Sequence, residues 1–132
     1  MSTAPRRILV VDDDPAIRRL FEVLLGGEGN LCTAVGTAED GLEAAEEHAF
    51  DLAIFDLHLP GMSGAEAAFE LRRRHEDLPV IAVSGHLDKW DVDDLHDLGI
   101  GKVLAKPFKR DDLLLAVSDM LEERSGRAAS AE

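Results

Sequence analysis

Carboxylate, hydroxyl and ammonium side chains follow four short apolar runs of the sequence. The run ILVV ends on Asp12 and Asp13, LAIF on Asp56, VIAV on Ser84 and VLA on Lys106. If these runs are parallel strands, their carboxyl ends share one edge of the sheet, and the five side chains meet there. Three carboxylates close together repel one another unless a cation neutralises them, and hard oxygen ligands suit Mg²⁺. The sequence therefore predicts a magnesium-dependent site that accepts a phosphoryl group.

The predicted site has a complementary group for each part of that chemistry. One carboxylate attacks phosphorus in line, Lys106 offers a point charge to a phosphoryl oxygen, and the Ser84 hydroxyl donates to another. Each residue also has an ordinary interpretation, because Asp often ends a strand and caps the next helix, Ser often lies in turns, and Lys often extends along the surface. Four strand ends that all carry complementary groups favour one shared site over four unrelated turns.

Alternating strand and helix patterns predict the framework that positions these residues. Uniformly apolar runs are typical of strands buried on both faces of a parallel sheet, and they predict strands at residues 8–11, 52–55, 79–83 and 102–105. The mixed segment NLCTAV at residues 30–35 is the candidate for the second strand. Helical spacing predicts helices near residues 15–25, 38–47, 64–74 and 88–97 and from about residue 110. Asp14 is the predicted N-cap of the first helix, with Pro15 at its first position. Five alternations indicate an α/β fold with a doubly wound parallel sheet.

Length and composition limit the organisation of the chain. Its 132 residues fit one domain, predicted at residues 1–124. Small and polar residues at 125–132 predict a disordered polar tail or the start of a linker. With 14 basic and 27 acidic residues, the net charge of −13 opposes contact with phosphate backbones and anionic lipid, so neither nucleic acid nor a membrane is expected as a partner. Cys32 is the single cysteine, and no signal peptide or membrane-spanning run is apparent, which predicts a cytoplasmic protein.

The reactive segments together resemble the receiver domain of two-component response regulators. The segments ILVVDDDPAIRRL, DLAIFDLHLPGMSG, VIAVSGH and VLAKPF occur in the order and at the spacing of that family, over roughly residues 6–123. The resemblance implies a (βα)5 flavodoxin-like fold whose sheet has the strand order 2-1-3-4-5. It also implies a phosphorylation-controlled interaction module that catalyses only its own phosphorylation and dephosphorylation and is not otherwise an enzyme.

The same resemblance assigns the magnesium ligands and the phosphoacceptor. Asp56 would receive the phosphoryl group from a histidine on a sensor kinase or a histidine phosphotransfer protein. Asp13 would ligate Mg²⁺ directly and Asp12 mainly through water, while Asp56 and the backbone carbonyl of His58 would complete the protein ligands. These roles define the predicted metal site.

The resemblance further assigns the groups that respond to phosphorylation. Lys106 would pair first with the acceptor carboxylate and then with the phosphate, and its bond to Pro107 is expected to be cis. Ser84 would move toward the phosphoryl oxygens and shift the population of two states. Many relatives carry an aromatic residue three positions before this Lys, where this chain has Val103. We therefore do not expect the usual aromatic gate.

Partner recognition is predicted at the acidic fourth helix, residues 88–97. Five aspartates surround Trp90 there, which would give a downstream protein target an acidic face with an aromatic anchor. The plain alternative is a solvated charged face with Trp90 over the core. The initiating Met1 and the lack of a following domain favour a free-standing receiver over the receiver half of a longer regulator. The sequence does not specify an oligomeric state.

Two other functions are compatible with parts of the sequence. A haloacid-dehalogenase-type phosphohydrolase would use Asp12 as its nucleophile within the pattern Asp12-x-Asp14. Ala16 departs from that motif, no acidic pair follows a suitable later strand, and the chain is short for that fold with a cap. A pseudo-receiver would bind partners without phosphorylation, although every acceptor-site residue is present. Which aspartate becomes phosphorylated distinguishes these possibilities.

Overall fold

Five parallel strands form the centre of the molecule. The computed structural model describes residues 5–59, 61–85 and 92–130. Its strands are β1 (Arg7–Val11), β2 (Leu31–Val35), β3 (Leu52–Asp56), β4 (Val80–Ser84) and β5 (Lys102–Ala105). They pair in the order β2-β1-β3-β4-β5, and every neighbouring pair is parallel. The predicted doubly wound sheet and its strand order are confirmed.

Helices connect the strands and cover both faces of the sheet. They are α1 (Pro15–Gly26), α2 (Ala38–Glu47), α3 (Gly64–Arg74), α4 (Val92–Asp97) and α5 (Arg110–Ser130). The prediction of a helix at 88–97 is met by α4 from residue 92 onward. Residues 88–91, with Trp90, lie outside the described residues.

The predicted polar tail needs a correction. Helix α5 continues to Ser130, so residues 125–130 extend a helix rather than forming an irregular segment. Arg127, Ala128 and Ala129 are good helix formers and no Pro interrupts them, so the helix can continue through Gly126 and the small, polar residues on which the prediction rested. The division into residues 1–124 and 125–132 stays a prediction.

Short polar side chains begin the first three helices. The carboxylate of Asp14 accepts a hydrogen bond from the backbone N–H of Ala16 at 2.9 Å, which confirms the predicted N-cap of α1. Thr37 and Ser63 cap α2 and α3 in the same way, at 3.1 Å to the N–H three residues later. Each cap satisfies a backbone donor that the first turn leaves unpaired. The caps fix where the chain turns from strand end into helix.

Alternate strand residues face two separate apolar cores. On β1, Leu9 and Val11 contribute to the core under α2 and α3, whereas Ile8 and Val10 contribute to the core under α1 and α5. All four are fully buried. Because side chains of a strand alternate between faces, a strand buried on both sides has to be apolar throughout. This explains the uniform runs in the sequence.

The chain shows no candidate membrane span in its described residues, since none of their helices is both long and apolar enough to cross a bilayer.

Burial on α1 predicts a sharp contrast between two aliphatic positions. Leu25 is fully buried and Val23 is 61% exposed on the same helix. We expect Leu25→Ala to lower the free energy of unfolding by about 2–5 kcal/mol, because it removes core contacts and leaves a cavity. Val23→Ala should change it by less than about 0.5 kcal/mol. Urea unfolding followed by circular dichroism measures both, and equal losses would contradict the assignment of the α1 core face.

Candidate functional site

Strand register brings the predicted site residues to one edge of the sheet. Val11 on β1 lies opposite Phe55 on β3, so Asp12 and Asp56 each follow one of two paired residues. Asp56 in turn lies opposite Val83 on β4. Ser84 lies opposite Ala105 on β5, directly before Lys106. The four strands β1, β3, β4 and β5 therefore deliver their reactive residues to the same end, as predicted.

The ammonium of Lys106 joins two buried carboxylates at this edge. Its Nζ lies 2.9 Å from Asp12 Oδ2 and 3.0 Å from Asp56 Oδ2. Asp12 is 1% exposed and Asp56 is 6% exposed. Burial lowers the pKa of the Lys106 amine, but the hydrogen bonds and negative charges of Asp12 and Asp56 outweigh burial and raise that pKa above its ordinary value of 10.5. The amine is therefore held as a cation between the two carboxylates.

Asp12 is fixed by two further contacts. Its Oδ1 accepts the backbone N–H of Asp14 at 3.0 Å. Its backbone carbonyl accepts a hydrogen bond from Nη1 of Arg18 at 2.9 Å. Arg18 was not predicted as a site residue, since no motif distinguishes it from the neighbouring Arg19. Its position one turn into the helix that follows the acidic strand end is the available signal.

The acceptor loop is organised by His58. The backbone N–H of His58 donates to Asp56 Oδ1 at 2.9 Å. Its ring Nε2 lies 3.2 Å from the hydroxyl of Ser84, which is completely buried at the end of β4. The predicted metal ligand of His58 is its backbone carbonyl. The contact between its ring and Ser84 is new, and it depends on the pairing of β3 with β4.

Three carboxylates form a group suited to one small cation. Within residues 5–59, 61–85 and 92–130, ligand atoms of Asp12, Asp13 and Asp56 all lie within 4.8 Å of one another. Asp13 is exposed, whereas the other two are buried, so the group is open to solvent on one side. An all-oxygen donor set with a solvent-facing side fits Mg²⁺, which prefers oxygen ligands and retains several waters. The carbonyl of His58 as a further ligand stays a prediction.

The start of α3 packs closely against the backbone of the acceptor residue Asp56. A Cβ atom added to Gly64 would lie 1.8 Å from the backbone oxygen of Asp56 and 2.8 Å from Cα of Leu57. Helix α3 therefore begins in contact with the acceptor backbone, at a distance that only glycine allows. The sequence PGMSG that precedes this helix was recognised, but the contact with Asp56 was not predicted.

One expectation about the segment around Lys106 agrees with the structure. The Lys106–Pro107 bond is cis, as predicted. Val103 lies opposite Ala82 on β4 and packs, half-buried, against the core under α2 and α3. No aromatic side chain occupies this position of β5.

Comparison with known proteins places this geometry among receivers. A family model described as the response regulator receiver domain matches residues 8–118. The DNA-binding response regulator MtrA of Mycolicibacterium smegmatis is 33% identical over 129 residues, which cover 98% of this chain and 56% of MtrA. The chain spans about half the length of the curated relatives that it matches.

Solved structures give the same result. A CheY-like response regulator receiver domain protein from Methanospirillum hungatei is similar at a TM-score of 0.88 and 30% identity, covering 94% of this chain and 99% of that one. The response regulator TrrA of Thermotoga maritima, whose structure is in complex with Mg²⁺-BeF, is similar at a TM-score of 0.80 and 32% identity, covering 87% and 98%.

One prediction about partners is wrong. Nucleic acid was excluded from the net charge of −13, yet MtrA is a DNA-binding response regulator. The charge of one domain reports only on what that domain's own surface attracts. MtrA is nearly twice as long as the matched region, so its DNA binding belongs to a protein that extends beyond a receiver. Charge therefore gives no ground for excluding nucleic acid among such proteins.

The contact of Gly64 with Asp56 predicts that one added methyl group at position 64 strongly destabilises the protein. Gly64→Ala should lower the free energy of unfolding by at least about 3 kcal/mol, because either α3 or the acceptor strand has to move. Gly26→Ala is the control, since a Cβ there meets nothing within 4 Å. It should be neutral or stabilising by up to about 1 kcal/mol. Thermal unfolding measures both, and a Gly64→Ala melting temperature equal to that of the wild type would contradict the close approach.

The raised pKa of Lys106 predicts a pH-dependent contribution to stability. Lys106→Met should lower the free energy of unfolding by on the order of 3 kcal/mol near neutral pH, since two buried carboxylates lose their cation. A raised pKa in the folded state means that this contribution is complete below about pH 10.5 and is lost as pH rises through the folded value. The difference between wild type and variant should therefore be constant up to about pH 10 and shrink above it.

Lys102→Met is the matched control for this series. The Lys102 amine lies 3.5 Å from Asp119 in a pair in which both side chains are exposed. Its removal should cost less than about 1 kcal/mol. Urea unfolding across the pH range provides the measurement. A difference between wild type and Lys106→Met that does not change above pH 10.5 would contradict the assigned ion pairs.

Proposed function

The chain belongs to the response regulator receiver family, whose members accept phosphoryl groups in two-component signalling, and we propose that Asp56 is its phosphoacceptor. The observation that carries the proposal is the Lys106 ammonium bound to both Asp12 and Asp56. This arrangement gathers a nucleophilic carboxylate, a fixed cation and a group of cation ligands at one sheet edge. Phosphoryl transfer depends mainly on such positioning and charge stabilisation.

Asp56 has the central position among the three carboxylates. It ends β3, with β1 and its aspartates on one side and β4 with Ser84 on the other. A phosphoryl group on Asp56 therefore lies between the predicted cation ligands and the predicted hydroxyl donor. A phosphoryl group on Asp12 would lack this flanking, because β2, the strand on its other side, ends in the apolar residue Val35. Position in the sheet thus favours Asp56 over Asp12 as the nucleophile.

The proposed reaction exchanges one phosphorus bond for another. A carboxylate oxygen of Asp56 attacks phosphorus, the P–N bond to the donor imidazole breaks, and the electron pair leaves with that nitrogen. Lys106 already contacts Asp56 Oδ2, so its charge is in place as the phosphoryl oxygens arrive. Hydrolysis later returns the free carboxylate. In general receivers are not classical enzymes, and we propose that this chain catalyses only these two reactions on itself.

The proposed cofactor is Mg²⁺, held by Asp13, Asp12, Asp56 and the carbonyl of His58. When bound, it would neutralise the carboxylates and withdraw charge from the phosphoryl group. Both oxygens of Asp12 already accept hydrogen bonds, from the N–H of Asp14 and from Lys106, which favours its contact through water. Asp13 is exposed and suits direct ligation. The Mg²⁺-BeF complex of TrrA is consistent with this choice of metal.

The proposal extends to the domain boundary and the compartment. The receiver would occupy residues 1–124, a range that includes the matched residues 8–118, with residues 125–132 as its tail. A cytoplasmic location belongs to the same proposal, because the single cysteine, Cys32, is free and provides no disulfide.

Phosphorylation by a small donor tests the proposal directly. With Mg²⁺ and acetyl phosphate, we expect the wild type to give a shifted band on a phosphate-affinity gel and Asp56→Asn to give none. Excess EDTA should abolish the shift, because the carboxylates then lack their cation. Asp119→Asn is the matched control, since Asp119 pairs with Lys102 away from the site, and it should be phosphorylated like the wild type.

The same gel separates the competing functions. A band that persists in Asp56→Asn and disappears in Asp12→Asn would support a hydrolase with Asp12 as nucleophile. The absence of any shifted band in the wild type, with the fold intact by circular dichroism, would support a receiver-like protein that is not phosphorylated. Either outcome would overturn the assignment of Asp56.

A further inference from the structure

His58 contacts both the acceptor and the hydroxyl of the neighbouring strand. Its backbone N–H donates to Asp56 Oδ1 at 2.9 Å, and its ring Nε2 lies 3.2 Å from Ser84 Oγ. The two residues that it connects end the paired strands β3 and β4. Every residue except Pro keeps this backbone donor at position 58, so the ring contact can be changed alone.

The hydroxyl of Ser84 has one proton to donate. A serine hydroxyl provides one donor and two acceptor positions. If its proton is directed at the imidazole, that proton is not available to a phosphoryl oxygen on Asp56. Because Ser84 is completely buried, bulk water does not compete freely for this bond. A neutral hydrogen bond of this kind corresponds to roughly fivefold in an equilibrium constant.

We propose that His58 is a positioning residue that holds the Ser84 hydroxyl away from the acceptor while Asp56 is unphosphorylated. The ring Nε2 accepts the hydroxyl proton in that state, and phosphorylation exchanges this bond for one from Ser84 to a phosphoryl oxygen. His58 therefore opposes formation of the phosphorylated state. The inference rests on the proposed function, because it requires a phosphoryl group on Asp56.

This role predicts that removal of the His58 side chain raises the affinity of the site for a phosphoryl group or its analogue. Damage to the fold would lower that affinity instead. His58→Ala frees the Ser84 hydroxyl to donate elsewhere and keeps the backbone N–H that binds Asp56. A merely structural role for the ring predicts weaker binding of a phosphoryl group or its analogue. A role in shielding the site from water predicts a change in hydrolysis rate without a change in equilibrium binding.

Equilibrium binding of beryllofluoride in saturating Mg²⁺ separates these possibilities, because it involves no hydrolysis. Titration followed by ¹⁹F NMR or calorimetry gives the dissociation constant. We expect His58→Ala to bind about fivefold more tightly than the wild type. His58→Gln, whose amide can still reach Ser84, should stay near the wild type. His96→Ala, which changes an exposed histidine at the opposite end of β4, should leave the dissociation constant unchanged.

A double-mutant cycle tests whether the effect passes through Ser84. Ser84→Ala should weaken binding, and adding His58→Ala to it should bring no further change, because the competing hydroxyl is then absent. The inference would be overturned if His58→Ala bound beryllofluoride no more tightly than the wild type. It would also be overturned if His58→Ala raised the affinity equally in the Ser84→Ala background. Either outcome would leave the proposed function intact. Equal binding by wild type and Asp56→Asn, or none by the wild type, would instead overturn the proposed function.

Discussion

The site depends on one cation held between two carboxylates that are buried at the end of a parallel sheet. Lys106 is 94 residues from Asp12 and 50 from Asp56 in sequence, yet its amine is within hydrogen-bond distance of both. Two buried carboxylates without a counter-charge would be strongly unfavourable. The strand order β2-β1-β3-β4-β5 makes the arrangement possible, because it puts β3 at the centre and the carboxyl ends of β1 and β5 on either side of it. The fold and the chemistry are therefore linked through a single ammonium group.

The strands, the first helix cap and the sheet edge that carries the site could be predicted from local sequence. The apolar runs of β1, β3 and β4 became strands because their residues are buried on both faces, and Asp14 became a cap because it precedes a helix that begins with Pro15. The aspartates, Ser84 and Lys106 could be assigned to one edge because parallel strands share their direction. Their individual roles came from the family pattern, since periodicity says nothing about which oxygen accepts a proton or a phosphoryl group.

Features that depend on tertiary distance were not predicted. Arg18 reaches the carbonyl of Asp12 only because α1 packs beside the end of β1, and Gly64 is required only because α3 approaches the backbone of Asp56. The ring of His58 contacts Ser84 because β3 and β4 are neighbours in the sheet. The exclusion of nucleic acid failed for a different reason, because the charge of one domain was used to exclude a class of partner that a longer relative, the DNA-binding response regulator MtrA, binds.

Signal transmission from this site has to use groups with two distinct arrangements. Val103 does not offer them, since branching at Cβ restricts the rotation of its side chain about χ1, and here it packs against the core. The hydrogen bonds around Ser84 do offer them, because one hydroxyl proton can be directed to either of two acceptors. Ser84 is also the last residue of β4, and its carbonyl accepts the N–H of Lys106 at 2.8 Å. Lys106 is therefore joined to the acceptor strand by its side chain, through Asp56, and to the end of β4 by its backbone, through Ser84.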